Sequence, residues 1–198
     1  MKRLKELNQR QLQAKETKNK ITKAAMSLLK TKQYDSIKIS DICKLAGISI
    51  GGFYHYFDSK EKLVIDAYDI VDDKIIKKYK TRKIDNEIDG ILWLSECIAS
   101  VTESLGERLV RNCYRQLLVD ETNYTLSPDR SVHKELKSLI NGAIRNKLIK
   151  EINPTLLSEY LNKIARGNIF DWCLKHGSFS IVDTLKREVN DIITLFKL

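Results

Sequence analysis

Residues 39–63 read ISDICKLAGISIGGFYHYFDSKEKL, and this stretch decides the fold. The apolar residues before Gly47 are spaced for one face of a short helix, and the glycine suits its left-handed end. Ser49 can cap a second short helix, and Ser59 can cap a third. Two short helices joined by a tight turn are typical of a helix-turn-helix, which offers its second helix to a DNA groove.

The aromatic residues after this turn divide into an inner and an outer set. Phe53 and Phe57 lie four residues apart, so both should pack inward. Tyr54 and His55 then point elsewhere, which leaves a phenol and an imidazole for phosphates or base edges. Lys60, in the first turn of the third helix, is expected at the height of a phosphate.

These residues resemble the DNA-binding domain of the TetR/AcrR family of bacterial transcriptional regulators. The resemblance begins at Ile21 and runs to Leu63 without a gap. Between these two residues, the positions that match the family pattern are Ala24, Ala25, Leu28, Leu29, Tyr34, Asp41, Ile42, Ala46, Gly47, Ser49, Gly51, Phe53, Tyr54, Tyr56, Phe57 and Lys60.

The resemblance implies an all-α protein in which a long helix joins an N-terminal three-helix helix-turn-helix domain to a helical C-terminal ligand-binding and dimerisation domain. We expect a basic arm at residues 1–15, the helix-turn-helix domain at 16–60, and the effector-binding and dimerisation domain at 61–198. The DNA contacts implied by the motif are Lys38, Ser49, Ile50, Gly51, Gly52, Tyr54, His55, Tyr56 and Lys60.

Three positions depart from the family pattern. Gln33 stands where a glycine usually ends the first helix, which predicts a left-handed or distorted cap there. Lys38 replaces a capping threonine, a loss of about 1 kcal/mol unless Ser40 takes over by starting the helix later. Gly52 stands where a small hydroxyl or alanine is frequent, so one side-chain contact is lost.

The positive charge is concentrated around the motif. The chain carries a net +9, with 20 Lys and Arg against 10 Asp and Glu in residues 1–83, but 15 against 16 in residues 84–198. A lysine-rich surface by itself is most often only solvated. Because the excess coincides with the motif, it indicates a nucleic-acid-binding head on a nearly neutral body, with affinity that falls steeply with salt.

Composition supports a helical protein with a substantial core. The chain has 198 residues, 42% of them hydrophobic, with 2 prolines and 8 glycines. Apolar spacing of the 3.6-residue type recurs along it, which predicts an all-helical fold. No apolar run reaches membrane-spanning length and no hydrophobic segment follows the basic N-terminus. We therefore expect a cytoplasmic protein with no membrane partner.

The first fifteen residues can be interpreted in more than one way. Lys2, Arg3, Lys5, Arg10 and Lys15 stand among glutamines and few acids. The segment could be an arm that follows the DNA backbone or enters the minor groove. It could equally be a frayed tail, or an extension of the first helix that uses its three leucines.

The sequence gives little support for metal binding or catalysis. Cys43, Cys97, Cys113 and Cys173 form no CxxC pair and have no histidine at ligand spacing, so we expect buried thiols, with a redox sensor as the less favoured alternative. There is no Gly-rich phosphate loop and no nucleophile elbow. His133 and His176 resemble surface residues near helix ends. We expect neither an enzyme nor a cofactor.

The remainder should form a helical body. A long amphipathic helix is predicted from Ser59 to about Lys80. Residues 120–127 form the most loop-like stretch, either an ordinary connection or the border of a ligand entrance. Further helices are predicted at about 87–105, 107–119, 128–147, 154–175 and 180–195, with Pro128 and Pro154 at helix starts.

By resemblance, the last two helices pair with those of a second subunit to form a four-helix homodimer interface, with Trp172 in a packing role. Such a dimer would place two recognition helices at least about 34–36 Å apart and bind a pseudo-palindrome. The apolar residues predicted to serve this interface are Leu157, Leu161, Ile164, Ile169, Phe170, Ile181, Leu185, Val189, Ile192 and Ile193.

A pocket for a small-molecule effector is expected among the helices of residues 87–175. Aromatic walls with a few polar groups suit small amphiphilic molecules. The candidate lining residues are Trp93, Cys97, Tyr114, Gln116 and Trp172, with Tyr124 as a further possibility.

The favoured hypothesis is a dimeric repressor that a small-molecule effector releases from a palindromic double-stranded DNA operator. A similar regulator controlled by a protein partner or by cysteine oxidation is the alternative. A non-specific DNA-binding protein and an enzyme with a basic patch are the competing classes.

Overall fold

The computed structural model describes residues 2–118 and 124–198, together with the side chains of residues 9–64, 66–118 and 124–198. Apart from an isolated antiparallel bridge between Ile149 and Lys197, these ranges contain only helices and connections, which confirms the all-α fold. The α-helices are α1 (Lys2–Leu29), α2 (Ile39–Ala46), α3 (Ile50–Tyr56), α4 (Lys60–Tyr79), α5 (Glu87–Leu105), α6 (Glu107–Leu117), α7 (Ser131–Arg145), α8 (Pro154–Leu174) and α9 (Ile181–Phe196).

Helices α1 to α3 form a small head around its own apolar core. Phe53 and Phe57 are both fully buried, as their four-residue spacing predicts, and their ring centroids lie 5.6 Å apart. The first turns of α4 complete this core with Leu63 and Val64. Lys18 of α1 forms an ion pair with Asp66 of α4 at 2.7 Å, so α4 belongs to the head at its beginning.

The body is built around α5, which packs against α4, α7, α8 and α9. Helix α5 is apolar on most of its surface, with Ile91, Leu94, Cys97 and Ala99 buried, as expected of a central helix. It approaches α7 closely at Gly90, where a Cβ would lie 2.7 Å from Leu139 Cδ2. The absence of a side chain there fixes the distance between the two helices.

Several helix ends follow from local sequence signals. Asn153 Oδ1 accepts hydrogen bonds from the Thr155 and Leu156 amides, and Pro154 occupies the first turn of α8 as predicted. Helix α7 instead begins at Ser131 and not at Pro128, because residues 127–130 form a turn in which the Arg130 amide bonds to the Ser127 carbonyl. Helix α6 ends at Leu117, and residues 120–123 of the expected loop at 120–127 lie outside the described residues.

The expected distortion at Gln33 is absent, and the missing side-chain cap at Lys38 is partly compensated. Gln33 has φ −70° and ψ 146°, an ordinary extended conformation, because α1 ends at Leu29 and a 3-10 turn at Tyr34–Ser36 follows. Lys38, and not Ser40, is the N-cap of α2. The Asp41 carboxylate accepts a hydrogen bond from the Lys38 backbone N–H at 3.2 Å, which replaces part of the missing cap.

Helix α1 begins at Lys2, so residues 2–15 are helical and extend the first helix of the head. This is one of the conformations that the sequence left open. A contact between these residues and DNA remains a proposal.

Most residues predicted for the dimer interface are instead part of this subunit's own core. Phe170 is the exception, at 45% exposure, while Ile164 and Ile192 are half-buried. The apolar periodicity of α8 and α9 therefore marks the faces packed against the body, chiefly against α5 and α7. The fully or almost fully buried members are Leu157, Leu161, Ile169, Ile181, Leu185, Val189 and Ile193.

Candidate DNA interface and ligand cavity

The turn between α2 and α3 has the geometry that its sequence predicts. Gly47 has φ 64° and ψ 45°, the left-handed conformation in which a Cβ would be strained. Ser49 then accepts a hydrogen bond from the Gly52 amide at 3.0 Å and caps α3. These two residues fix the angle at which α3 leaves the turn.

Helix α3 presents polar and aromatic side chains to solvent on the side opposite Phe53. Tyr54 is 53% exposed, and its ring meets the Phe53 ring edge to face with centroids 5.5 Å apart. His55 is exposed beside it. Ser49, Ile50 and Gly51 are exposed at the start of the helix, whereas Gly52 and Tyr56 are half-buried. The exposed set can enter a groove, and Tyr56 supports it from the side, its ring 4.9 Å from that of His55.

Two further basic residues lie beside this surface that the sequence analysis did not single out. Lys44 is exposed in the last turn of α2, next to Leu45, which is 53% exposed. Lys20 of α1 reaches the turn, with its Nζ 3.7 Å from where a Cβ on Gly47 would be. Lys38 is exposed at the start of α2. Three lysines thus lie around the turn and α3. The available sequence signal was the position of Lys44 in the quoted segment and of Lys38 just before it, whereas Lys20 belongs to α1.

Lys60 faces the interior of the head. Its Nζ donates hydrogen bonds to the carbonyls of Tyr34 and Ile37, both at 2.9 Å, and lies 4.0 Å from the centroid of the Tyr34 ring. This corrects the simple expectation of a lysine extended toward phosphate, because two of its three donors are already used. The residue joins α4 to the segment before α2.

The Tyr34 side chain adds a second link to the same helix. Its hydroxyl donates to Glu61 Oε1 at 2.8 Å. Burial raises the pKa of the Tyr34 phenol far above its usual value, and the bond to Glu61 raises it further. The hydrogen bond from Tyr34 in turn lowers the pKa of the Glu61 carboxyl, so the phenol stays protonated and the carboxylate ionised near neutral pH.

A cavity of about 110 Å³ lies in the body between α4, α5, α6, α7 and α8. Most of its wall is apolar, and its volume exceeds several-fold what a single water molecule needs. An apolar cavity with a few polar groups is typical of a small-molecule site. The polar and aromatic residues of the lining are Tyr68, Thr102, Cys113, Tyr114, Thr125, Arg130, His133, Asn162 and Arg166.

Only one of the five residues predicted to bind a ligand lines this cavity, namely Tyr114. Trp93 instead donates from Nε1 to the Tyr79 carbonyl at 2.9 Å. Cys97 and Trp172 are buried in the core, and Gln116 is half-buried on α6 away from the lining. Aromatic residue type was therefore a poor guide, because the helix crossing angles decide which side chains meet at the cavity.

Helix α6 separates the cavity from the head and contacts both. On one face, Asn112 Oδ1 accepts from the Tyr34 amide at 3.3 Å, while its Nδ2 donates to the carbonyls of Leu29 and Lys32. Arg108 Nη1 donates to the Thr31 carbonyl at 2.7 Å. On the other face, the residues facing the cavity are Leu109, Val110, Cys113, Tyr114 and Leu117.

Within residues 2–118 and 124–198, no group of three or more His, Cys, Asp or Glu side chains is arranged to hold a metal ion. None of the helices in this part of the chain combines the length and apolarity needed to span a bilayer.

Comparison with known proteins agrees with this geometry. The family model described as bacterial regulatory proteins, tetR family, matches residues 21–67, which span the second half of α1 to the start of α4. The HTH-type transcriptional regulator YvdT of Bacillus subtilis is 30% identical over 180 residues, covering 86% of this chain and 89% of YvdT. UidR of Escherichia coli K12, also an HTH-type transcriptional regulator, is 30% identical over 166 residues, covering 75% and 84%.

Solved structures share the whole fold. A TetR transcription regulator from Haloarcula marismortui superposes with a TM-score of 0.73 at 15% identity, covering 93% of this chain and all of that one. A TetR-family regulator from Pectobacterium atrosepticum gives 0.71 at 18% identity, covering 94% and 97%. At such identities the likeness concerns the fold alone. The sequence relatives are transcriptional regulators and not enzymes. Because the family model covers the helix-turn-helix and YvdT matches nearly the full length, the chain belongs to the TetR family of bacterial transcriptional regulators.

Proposed function

We propose that the chain is a homodimeric repressor of a palindromic operator and leaves the DNA when a small molecule fills the body cavity. The observation that carries this proposal is the position of α6. One face of this helix lines the cavity, and the opposite face holds the end of α1 through Asn112 and Arg108. A ligand that displaces α6 therefore changes the support of the head.

Helix α4 gives a second connection between cavity and head. Ala67, Tyr68, Val71 and Ile75 of α4 line the cavity. In the first two turns of this helix, Lys60 bonds to the Tyr34 carbonyl and Asp66 pairs with Lys18 of α1. The protein would exist in two states that differ in the position of the heads. A ligand in the cavity changes operator affinity only if it binds these two states with different affinity. Reversing a 99:1 preference requires a difference of about 5.5 kcal/mol across the dimer.

On the DNA side, α3 is the reading helix in this proposal. Tyr54 and His55 would contact bases or phosphates, and Lys38 and Lys44 would contact the backbone. The basic residues of 2–15, such as the exposed Arg10 and Lys15, continue along α1 and would follow the DNA backbone as an arm. Their contribution would be electrostatic and independent of sequence.

The dimer would form through an exposed apolar stripe on α8. Leu156, Tyr160, Phe170 and Leu174 are each at least 41% exposed, although all are large and apolar. With Lys163 and Gly167 between them, they recur at alternating intervals of four and three residues, the spacing that a partner helix covers. A two-fold axis beside this stripe would pair α8 and α9 with their copies, which is consistent with a palindromic operator.

Control by thiol oxidation is the weaker alternative. All four cysteines are free, and only Cys113 is not fully buried. Burial raises the pKa values of the Cys97 and Cys173 thiols to about 11 and that of Cys113 to about 12. Since the thiolate is the reactive form, these environments suppress oxidation near neutral pH. Control by a protein partner would leave the cavity without a role.

Selection of bound sequences from random DNA tests the proposal directly. Wild-type protein should enrich an inverted repeat, and footprinting should protect both half-sites. The Tyr54→Ala variant should lose the enrichment but keep the fold. Enrichment of no sequence, with binding that depends only on salt, would point to a non-specific binder. Repetition with added lysate metabolites should identify an effector by loss of binding, and no response to any cavity-binding compound would exclude release by a ligand.

A further inference from the structure

Two guanidinium groups line the cavity, and one of them is neutralised. Arg130 Nε and Nη2 donate to the two carboxylate oxygens of Asp72 at 3.0 and 2.6 Å, and Nη1 donates to the Thr125 carbonyl. The side chains of Arg130 and Asp72 are only 11% and 3% exposed. A bidentate pair of this kind satisfies both charges and leaves Arg130 little capacity for a ligand.

Arg166 of α8 lines the same cavity without such a partner. No carboxylate of residues 9–118 and 124–198 forms an ion pair with its guanidinium. Burial lowers the pKa of Arg166; the Tyr114 phenol opposes this change, Arg130 adds to it, and Glu159 opposes it again. Arg remains charged at any physiological pH, so among the described residues around the cavity the two arginines are balanced by one paired carboxylate, that of Asp72.

Further polar groups surround the same region. The Tyr114 hydroxyl donates to the Arg166 carbonyl at 3.3 Å, and His133 Nδ1 donates to the Ser127 carbonyl at 2.8 Å. Thr102 and Asn162 also reach the lining. The rest of the wall is formed by aliphatic side chains of α4 to α8. The cavity thus combines a cationic, polar part with a largely apolar remainder.

We propose that the cavity binds a small amphiphilic monocarboxylate, with the Arg166 guanidinium as the anchor of its carboxylate and the apolar wall around its hydrocarbon body. The inference rests on the proposed effector role of this cavity and specifies the chemical class of the ligand. A planar fork of N–H donors matches a carboxylate, and the interaction is strong in a cavity shielded from water. An amine would be repelled by Arg166 and Arg130, and a neutral amide would leave the excess charge unpaired.

Binding to matched probes tests this assignment on the intact protein without DNA. Benzoate, 3-phenylpropanoate, hexanoate and octanoate would be compared with their primary amides and amines by calorimetry and thermal shift. At least one acid should bind saturably and stabilise the fold, and its amide should bind about tenfold or more weakly, a loss of about 1.4 kcal/mol or more. Equal affinities of acids and amides, tighter binding of amines, or no saturable binding of any acid would overturn the proposal.

Substitutions distinguish a specific role of Arg166 in binding the carboxylate from a general effect of positive charge on affinity. Arg166→Gln should reduce the affinity for the acid about tenfold and leave that for the amide within about twofold. Lys137→Gln removes an exposed positive charge from α7, away from the cavity lining, and should change neither affinity. Circular dichroism checks that both variants are folded. Equal loss for acid and amide in Arg166→Gln would assign Arg166 a merely structural role and overturn the proposal.

The ligand class and the proposed repressor function can fail independently of each other. Acid binding is measured on the protein alone, whereas repression requires operator binding. If the acids bind as expected but leave operator affinity unchanged, the ligand class stands and release by a ligand fails. If operator binding responds to other compounds while the acids do not bind, the repressor stands and the carboxylate assignment fails.

Discussion

The side chain of Asn112 holds the backbone amide of Tyr34 at 3.3 Å, across 78 residues of sequence. Asn112 Nδ2 donates to the carbonyls of Leu29, at the end of α1, and of Lys32, just after it, so one buried residue satisfies three backbone groups of the head. Asn112 is 2% exposed. It is therefore the main polar contact through which α6 fixes the head to the body.

Asn112→Ala should loosen this junction. Leaving buried backbone groups unsatisfied costs about 1–3 kcal/mol, so the free energy of unfolding should fall by that amount. Hydrogen exchange should become faster at residues 29–34, and operator affinity should respond less to a cavity ligand. Asn141→Ala on α7 is the control, because Asn141 is exposed and bonds only within its own helix. Equal exchange rates in the two variants would contradict the proposed junction.

Lys60→Met should destabilise the head more than Lys62→Met. Lys60 donates from a charged group to two carbonyls, each bond being worth about 1.5–3 kcal/mol. The Lys62 side chain is 47% exposed, and its Nζ lies as far as 4.0 Å from Asp66 Oδ1. Because this ion pair is long and exposed, its loss should cost less than about 0.5 kcal/mol. Urea denaturation with unchanged m-values measures both. If Lys60→Met kept wild-type stability but lost DNA affinity, the lysine would act on phosphate instead.

Lys44→Gln should weaken DNA binding without affecting sequence preference. An exposed lysine beside the reading helix contributes through counterion release, so the slope of log affinity against log salt should decrease by about 1. Lys150→Gln, an exposed substitution in the body, should leave the slope unchanged. Fluorescence anisotropy over a salt series distinguishes them. An unchanged slope for Lys44→Gln would place the DNA elsewhere on the head.

The sequence predicted the head better than the body for a physical reason. Gly47, Ser49 and Ser59 act on backbone groups at most four residues away, so their roles can be read locally. The Arg130–Asp72 pair joins residues 58 apart, and nothing in the sequence indicates that they meet. The backbone contacts of Lys60 could not be predicted for the same reason, since its acceptors lie 23 and 26 residues away.

Apolar periodicity has a similar limit. It correctly identified α8 and α9 as amphipathic, but it does not say whether an apolar face meets its own subunit or a partner. The exposed stripe through Tyr160 and Phe170 became recognisable only once the buried face, with Leu157 and Leu161, was known.

His133 should make the body sensitive to acid. Burial lowers the pKa of this imidazole, Arg130 and Arg166 lower it further, and the Ser127 carbonyl and Asp72 oppose them. A lowered folded pKa means that stability is retained above the unfolded pKa of about 6.5 and lost as pH falls toward the folded value. Wild type should therefore lose more stability than His133→Gln between about pH 7.5 and about pH 5.

Urea midpoints at the two pH values measure this difference. His55→Gln serves as the control, because it leaves His133 in place and should lose as much stability as the wild type. If wild type and His133→Gln lost the same amount of stability between the two pH values, His133 would not be the source of the acid sensitivity. An acid bound at Arg166 should reduce the loss, since a negative charge in the cavity favours the protonated imidazole.

Gly167 tests the proposed dimer without disturbing the subunit. A Cβ at this position would meet no atom within 4 Å in the described structure, and the residue lies between Lys163 and Phe170 on the exposed stripe of α8. Gly167→Lys should therefore leave the monomer folded, because lysine favours a helix more than glycine does. It should separate the subunits, since a charged side chain would be buried where two α8 helices meet.

Analytical ultracentrifugation should show a dimer for wild type and a monomer for Gly167→Lys. Asn141→Lys, an exposed substitution on α7, should remain dimeric. Operator affinity of the monomeric variant should fall steeply, because the two half-sites would then bind independently. A dimeric Gly167→Lys with unchanged operator affinity would place the subunit interface away from this stripe.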